Sequence, residues 1–308
     1  MLENILTVGQ QVIILFILIA IGFLCGKTKL ITEQGSKCLN ELVLYVVTPC
    51  VIIKSFIRPF DSSMLTNILL AAALAIVIHV VSIGIAMLIF RDKNIARKRV
   101  YRFSVIFSNC AFMSLPLQQA VLGDDGVFYA AVYIAVFNLV LWSYGVVMMS
   151  GDKKFLSAKK ILLNPGIVGV FVGIIIFVCN IQISEIIFEP ISYIAALNTP
   201  VPMIFIGYYL SKSNILDAFK DAKSYAAIAL RLIIIPLITF GTLYLCGIRG
   251  TLLVSCVISA SAPAAATTTM FAAKFNQDAP LAVNLVTLST LCSVITMPII
   301  VGFTQLIA

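Results

Sequence analysis

The sequence predicts an all-α membrane protein of about ten transmembrane helices, arranged as two inverted five-helix repeats. Three observations carry this expectation. Hydrophobic residues make up 61% of the 308 residues and charged residues only 11%, against roughly 25% charged in a soluble domain. So few charges cannot cover a water-facing surface of this size. Apolar runs of spanning length recur ten times, and the basic residues fall in alternate loops.

The runs lie near 7–26, 37–57, 64–90, 101–122, 126–149, 161–180, 190–210, 224–247, 251–273 and 279–306. Each approaches the ~20 residues that span a bilayer as a helix. Lipid offers no partner to a free backbone amide, so the spans must be helical. The first run, beginning at residue 8, follows an N-terminus with no basic region and no small-residue cleavage site. It reads as a retained span rather than a signal peptide.

Basic residues set the orientation. The first loop holds Lys27, Lys29 and Lys37, and the third Arg91, Lys93, Arg97, Lys98, Arg99 and Arg102. The fifth holds Lys153, Lys154, Lys159 and Lys160, the seventh Lys212, Lys220 and Lys223, and the ninth Lys274. These odd loops carry 17 of the 21 basic residues, and the even loops only Arg58 and Arg249. By the positive-inside rule the odd loops are cytoplasmic and both termini face out. Topology thereby accounts for the +8 net charge, with no need for a nucleic-acid partner. The run Arg97-Lys98-Arg99 is also placed to meet anionic lipid headgroups.

Residues 1–150 form the first repeat, 151–160 a short cytoplasmic linker and 161–308 the second repeat. Gly22 and Gly26 in the first span match Gly169 and Gly173 in the sixth. Pro49 matches Pro200 and Pro202, and Pro116 matches Pro263. A five-span half in tandem gives opposite orientations, which is a transporter architecture. The glycine pairs are candidate close-packing faces between helices or protomers. Asn164-Pro165-Gly166 reads as a helix start, with Asn as N-cap and Pro at the first helical position. The eight cysteines form no CxxC pair and read as small apolar residues, not metal ligands or disulfides.

The fourth and ninth spans carry the chemistry. One holds Ser108, Asn109, Ser114 and Pro116; the other holds Ser259, Ser261, Pro263, Ala264 and Thr267. Each places small and polar residues around a proline at mid-membrane depth. Proline removes an amide and frees a carbonyl one turn earlier. Within lipid such groups must be satisfied or line a cavity, and paired interruptions in inverted halves point to a transport site. A half-helix beginning at a break presents unpaired amides and a positive dipole end. Two such ends form an anion site without a fixed cation. The alternative is a pair of kinked packing helices whose hydroxyls bond back to backbone.

These motifs resemble the bacterial auxin efflux carrier family, related to plant PIN-type auxin carriers and to malate and malonate permeases. The resemblance rests on Ser108-Asn109 with Pro116-Leu117, Gly123-Asp124-Asp125-Gly126, Tyr129-Ala130, and Leu39-Asn40 through Tyr45 to Pro49. It continues through Pro263-Ala264-Ala265, Asn276-Gln277-Asp278, Val286 with Leu288-Ser289-Thr290, and Thr296 with Pro298. It implies a fold similar to bile-acid/sodium symporters, with helices 4 and 9 broken and crossing. It also implies a scaffold of helices 1, 2, 6 and 7, a mobile transport domain of helices 3–5 and 8–10, an elevator motion and a homodimer through the scaffold. It places Asn109 and Asn138 at the substrate. The long central loop of the large plant carriers has no counterpart in 151–160, so a small carboxylate is a better expectation than auxin itself.

Intramembrane charges are functional suspects. Glu41 lies near a span end, and the other acidic residues, among them Asp217, sit in loops or tails, which disfavours a carboxylate-based antiporter. His79, the single histidine, lies mid-span and fits either proton coupling or a bond between helices. Arg231 fits either anion attraction or snorkelling, and Lys54 fits snorkelling. No catalytic constellation is present, so an enzyme is excluded, and no cofactor or metal is called for. The expectation is a secondary transporter of small organic anions such as malate, malonate or auxin-like acids in a bacterial plasma membrane. A sodium-coupled symporter and a transporter-like membrane sensor remain open.

Overall fold

The computed structural model describes residues 2–212 and 221–308, with side chains from residue 9 onward. Lys220 and Asp217 lie outside the described residues. Twelve helices are used below. They are α1 (Leu2–Lys27), α2 (Glu33–Phe56), α3 (Ser62–Ile89), α4 (Ile95–Ile106) and α5 (Cys110–Ser150). The second half holds α6 (Ala158–Leu162), α7 (Pro165–Val178), α8 (Glu185–Lys212), α9 (Ala222–Leu245), α10 (Gly250–Ser261), α11 (Thr267–Lys274) and α12 (Ala279–Ile307).

Seven of the described helices are long and apolar enough to cross a membrane: α1, α2, α3, α5, α8, α9 and α12. The difference from ten has local causes. The expected fourth span is interrupted between Ile106 and Cys110, and the ninth between Ser261 and Thr267. The far part of the fourth runs into the fifth through Gly123, whose φ of 65° turns the chain without ending the helical run. Only glycine enters that region cheaply. The sixth expected span holds a helix of 14 residues, α7.

Prolines shape the helices. The five-residue π turns Val43–Val47, Cys110–Ser114 and Leu230–Ile234 end two residues before Pro49, Pro116 and Pro236. The proline ring pushes away the carbonyl four residues back. That carbonyl lies inside each π turn, so the widened turn relieves the clash. Polar caps close the loops: Thr32, Asp61, Asn94, Asp152, Ser157, Asn164, Asp221 and Asp278 each accept from a backbone amide of the helix that follows.

Two helix pairs pack unusually closely. A β-carbon on Gly22 of α1 would strike the backbone of Ile204 in α8, and one on Gly207 would strike the backbone of Ile19. Gly169 and Gly173 of α7 meet Pro49, Ile52 and Phe56 of α2. Within this chain the small residues therefore seat helix on helix. The main core joins α2, α3, α4, α5, α9 and α10 around Phe56, Phe103, Phe107 and Phe128, while a second gathers α1, α5, α8 and α12. Large apolar residues such as Ile17, Leu24, Leu69, Leu88, Phe171 and Ile295 remain exposed on the outside, the surface a bilayer would cover.

Candidate anion site at the crossing of two interrupted helices

The two interruptions meet. Ser108 and Ala264 pair as an antiparallel bridge. Asn109 donates its amide to the Pro263 carbonyl at 2.7 Å, and Ala265 donates to the Phe107 carbonyl at 2.9 Å. Ala264 donates to Ser289 Oγ on α12 at 3.1 Å. The backbone freed by the breaks is thus satisfied across the crossing, as a water-poor interior requires. Because the strands run antiparallel, α5 and α11 leave in opposite directions, with their N-terminal ends at the crossing. The first amides of each helix lack partners within the helix, and each end carries about +0.5 of an elementary charge.

Asn109 immediately precedes α5 and is buried, at 5% exposure. Its side chain borders a narrow cleft of about 30 Å³ between α8, α11 and α12. The walls are Phe205, Ile206, Tyr209 and Leu210 from α8, Ala266, Thr269 and Met270, and Val283, Val286, Thr287 and Thr290 from α12. Among the described residues that line it, Tyr209 alone carries an ionisable side chain. Ser108 Oγ is buried at the crossing beside Cys110 and Tyr133, and the buried hydroxyls of Thr267 and Thr268 have no hydrogen-bond partner among the described residues. Pro263 and Ala264 contribute backbone, not side-chain chemistry.

Ser114, Pro116 and Ser261 stand differently. Ser114 belongs to a buried polar knot in which Gln118 Nε2 donates to Ser114 Oγ and Ser259 Oγ, each at 2.9 Å. Ser255 Oγ donates to Gln118 Oε1 at 2.5 Å. The knot ties α5 to α10. Pro116 follows the π turn of α5. Ser261 donates back to the Val257 carbonyl at 2.6 Å, closing the last turn of α10.

Residues 7–301 match the family model described as membrane transport protein. This chain belongs to that family, the auxin efflux carriers. It is 23% identical over 294 residues to an uncharacterized transporter of Methanothermobacter thermautotrophicus, covering 94% of this chain and 96% of the relative. It is also 23% identical over 303 residues to an uncharacterized transporter of Methanocaldococcus jannaschii, covering 93% and 95%. The family and both relatives are transporters by description, which fits a multi-pass membrane protein that is not an enzyme.

Other expected site residues of this family member lie apart from the cleft. Asn138 on α5 is buried, with Asn164 Nδ2 3.5 Å from its Oδ1, beside Gly166 at the start of α7. His79 is buried; its Nδ1 lies 2.7 Å from the Ala75 carbonyl, and its ring lies among Tyr133, Phe137 and Phe107. Arg231 does not snorkel: it is 2% exposed, donates to backbone carbonyls at the crossing, and does not line the cleft.

A second cleft, of about 230 Å³, lies further toward the start of α8. Lys54 and Ser55 of α2, Leu115, Gln119 and Asp124 of α5, and Asn198 and Thr199 line it. Asn198 is buried, and its Oδ1 has no hydrogen-bond partner among the described residues. Gln119 Nε2 donates to Asp124 at 3.1 Å, while Lys54 has no hydrogen-bond or ion-pair partner among the described residues.

Charges outside the spans gather where α4, α9 and α12 begin. Lys223 pairs with Asp92 at 2.7 Å, and Arg97 pairs with Asp221 at 2.6 Å and Asp278 at 3.6 Å. The Lys223 ammonium holds the Asp92 carboxyl below its ordinary range. Partial burial pushes Asp221 up, but the Tyr101 hydroxyl, the Lys223 amide and Arg97 together outweigh it and hold the carboxyl low. The sequence marked the basic residues of this cluster but not their partners, because these acids come from three separate loops.

Proposed function

We propose that this protein is a secondary transporter of small organic anions, and that its substrate carries one carboxylate on a partly apolar body. The observation that carries the reading is the crossing. It directs two helix N-termini, together about one positive charge, to a cleft edged by the Asn109 amide. The apolar walls favour an apolar body, and the threonine and tyrosine hydroxyls offer orienting bonds. A second carboxylate would find no cation in the cleft lining, and burying an unpaired charge is costly. Malate-like and malonate-like dianions therefore rank below monocarboxylates.

We further read the fold as ten spans in inverted repeats. In this reading α4 with the first part of α5, and α10 with α11, are the broken fourth and ninth spans; the rest of α5 is the fifth and α7 the sixth. The close pairs α1–α8 and α7–α2 then become one packing scheme used twice, in support of the repeat. Spans 1, 2, 6 and 7 form the scaffold, and the others carry the crossing in an elevator or alternating-access motion. The two clefts lie at different heights along α8 and supply one half-path each. Basic loops face the cytoplasm, both termini face out, the membrane is the plasma membrane, and two copies pair through the scaffold.

Uptake of labelled acids into proteoliposomes tests the proposal. Monocarboxylates with apolar bodies are expected to enter saturably, dicarboxylates weakly, and the matching neutral amides not at all. Equal uptake of the neutral analogues, or no uptake of any acid, would overturn it. A strict sodium requirement would favour the symporter reading, to which the unpartnered hydroxyls of Thr267 and Thr268 lend support as oxygen ligands.

A further inference from the structure

We propose that Arg231 is the fixed countercharge of the crossing and the residue that positions its two half-helices. Arg231 sits in the π turn Leu230–Ile234 of α9. It is buried, and no carboxylate pairs with it among the described residues. A buried guanidinium needs acceptors or it destabilises the fold. Nη1 donates to the Val105 carbonyl at 2.9 Å and approaches the Ile106 carbonyl at 3.4 Å. Nη2 donates to the Ala260 carbonyl. One side chain therefore closes the C-terminal ends of both α4 and α10.

The amides explain why those carbonyls are available. In a continuous helix Asn109 would donate to Val105, four residues back. At the crossing it donates to Pro263 instead. Ala264 would likewise donate to Ala260, but donates to Ser289 Oγ. The amides of Asn109 and Ala264 are thus diverted from the Val105 and Ala260 carbonyls, and Arg231 takes both of those carbonyls. The charge agrees as well. Two helix C-termini carry about −0.5 each, and the guanidinium answers them with one positive charge. The crossing thus needs no dissolved cation at its C-terminal ends, while the opposing N-termini stay free for an anion. Arg231 lines neither cleft, so it acts through position and not by touching the solute.

The test compares Arg231→Lys and Arg231→Met with the wild type, by melting temperature in detergent and by uptake in proteoliposomes. Arg231→Lys keeps the charge and is expected to fold, melting between the wild type and Arg231→Met. Uptake by Arg231→Met is expected to fall by about 100-fold, the scale of a site displaced by about an ångström, with Arg231→Lys recovering part of it. If Arg231→Met does not fold and Arg231→Lys does, the countercharge assignment stands. Equal melting of the Lys and Met variants, or wild-type uptake by Arg231→Met, would overturn it. The assignment rests on the transport reading only for its uptake arm. If the wild type carries no organic acid but the melting order holds, the transport reading fails and Arg231 keeps its role.

Discussion

The Asn109 amide lies 2.7 Å from the Pro263 carbonyl, across 154 residues of chain. Through that bond each interruption repairs part of the other. It also holds the Asn109 side chain at the cleft. We expect Asn109→Ala to keep its melting temperature within a few degrees and to lose saturable uptake. Unchanged uptake would remove Asn109 from the site.

Asn138 calls for a different outcome. It faces Asn164 and Gly166 at the start of α7, where α5 meets a helix we assign to the scaffold. Asn138→Ala should lower the transport rate while leaving the apparent KM near the wild-type value. A raised KM at constant rate would instead place the Asn138 amide on the solute.

Gln118 satisfies three serines inside the protein. Gln118→Leu leaves Ser255 only the Gly126 carbonyl at 3.3 Å, and Ser114 and Ser259 only each other at 3.4 Å, and a buried unsatisfied group costs about 1–3 kcal/mol. The measurable result is a lower melting temperature, relieved when Ser255 and Ser259 are also changed to alanine. Additive losses in the triple variant would show that the knot is not coupled.

The α1–α8 contact brings backbone against backbone at Gly22 and Gly207. Gly22→Ala should cost about 1–3 kcal/mol by overpacking, read as a reduced unfolding midpoint. Gly241, where added atoms meet open space, is the control and should be much less affected.

Acid should loosen the cluster at the starts of α4, α9 and α12. The Asp92 and Asp221 carboxyls are held low in the folded protein. Their stabilisation is therefore present above the unfolded carboxylate range and lost as pH falls through the folded values. Asp221→Asn should melt lower at neutral pH and show a smaller further fall in acid. An identical acid profile in the variant would exclude Asp221 from the effect.

Much of the fold was legible because the bilayer imposes few choices. Apolar runs such as 64–90 had to be helical, and α3 covers nearly that segment. Asn164 caps α7 as its triplet suggests. The prolines also spoke locally, since a missing amide disturbs its own turn whatever packs nearby. The count of uninterrupted long helices was less readable. Gly123 turns the chain within one helical run, and breaks at Phe107 and Ala262 shorten others.

Composition and periodicity by themselves determined that this chain is helical, membrane-embedded and weak at two proline-bearing segments, because each of those properties depends on side chains and backbone within a turn or two. Only the tertiary structure decided that the two weak segments bond to each other, that Arg231 serves both, and that Gln118 bonds Ser255 and Ser259. These relations, the Gln118 bonds to Ser255 and Ser259 among them, join groups from distant parts of the chain. Hydrogen bonds are directional and short, and their partners are chosen by packing, which no local pattern encodes.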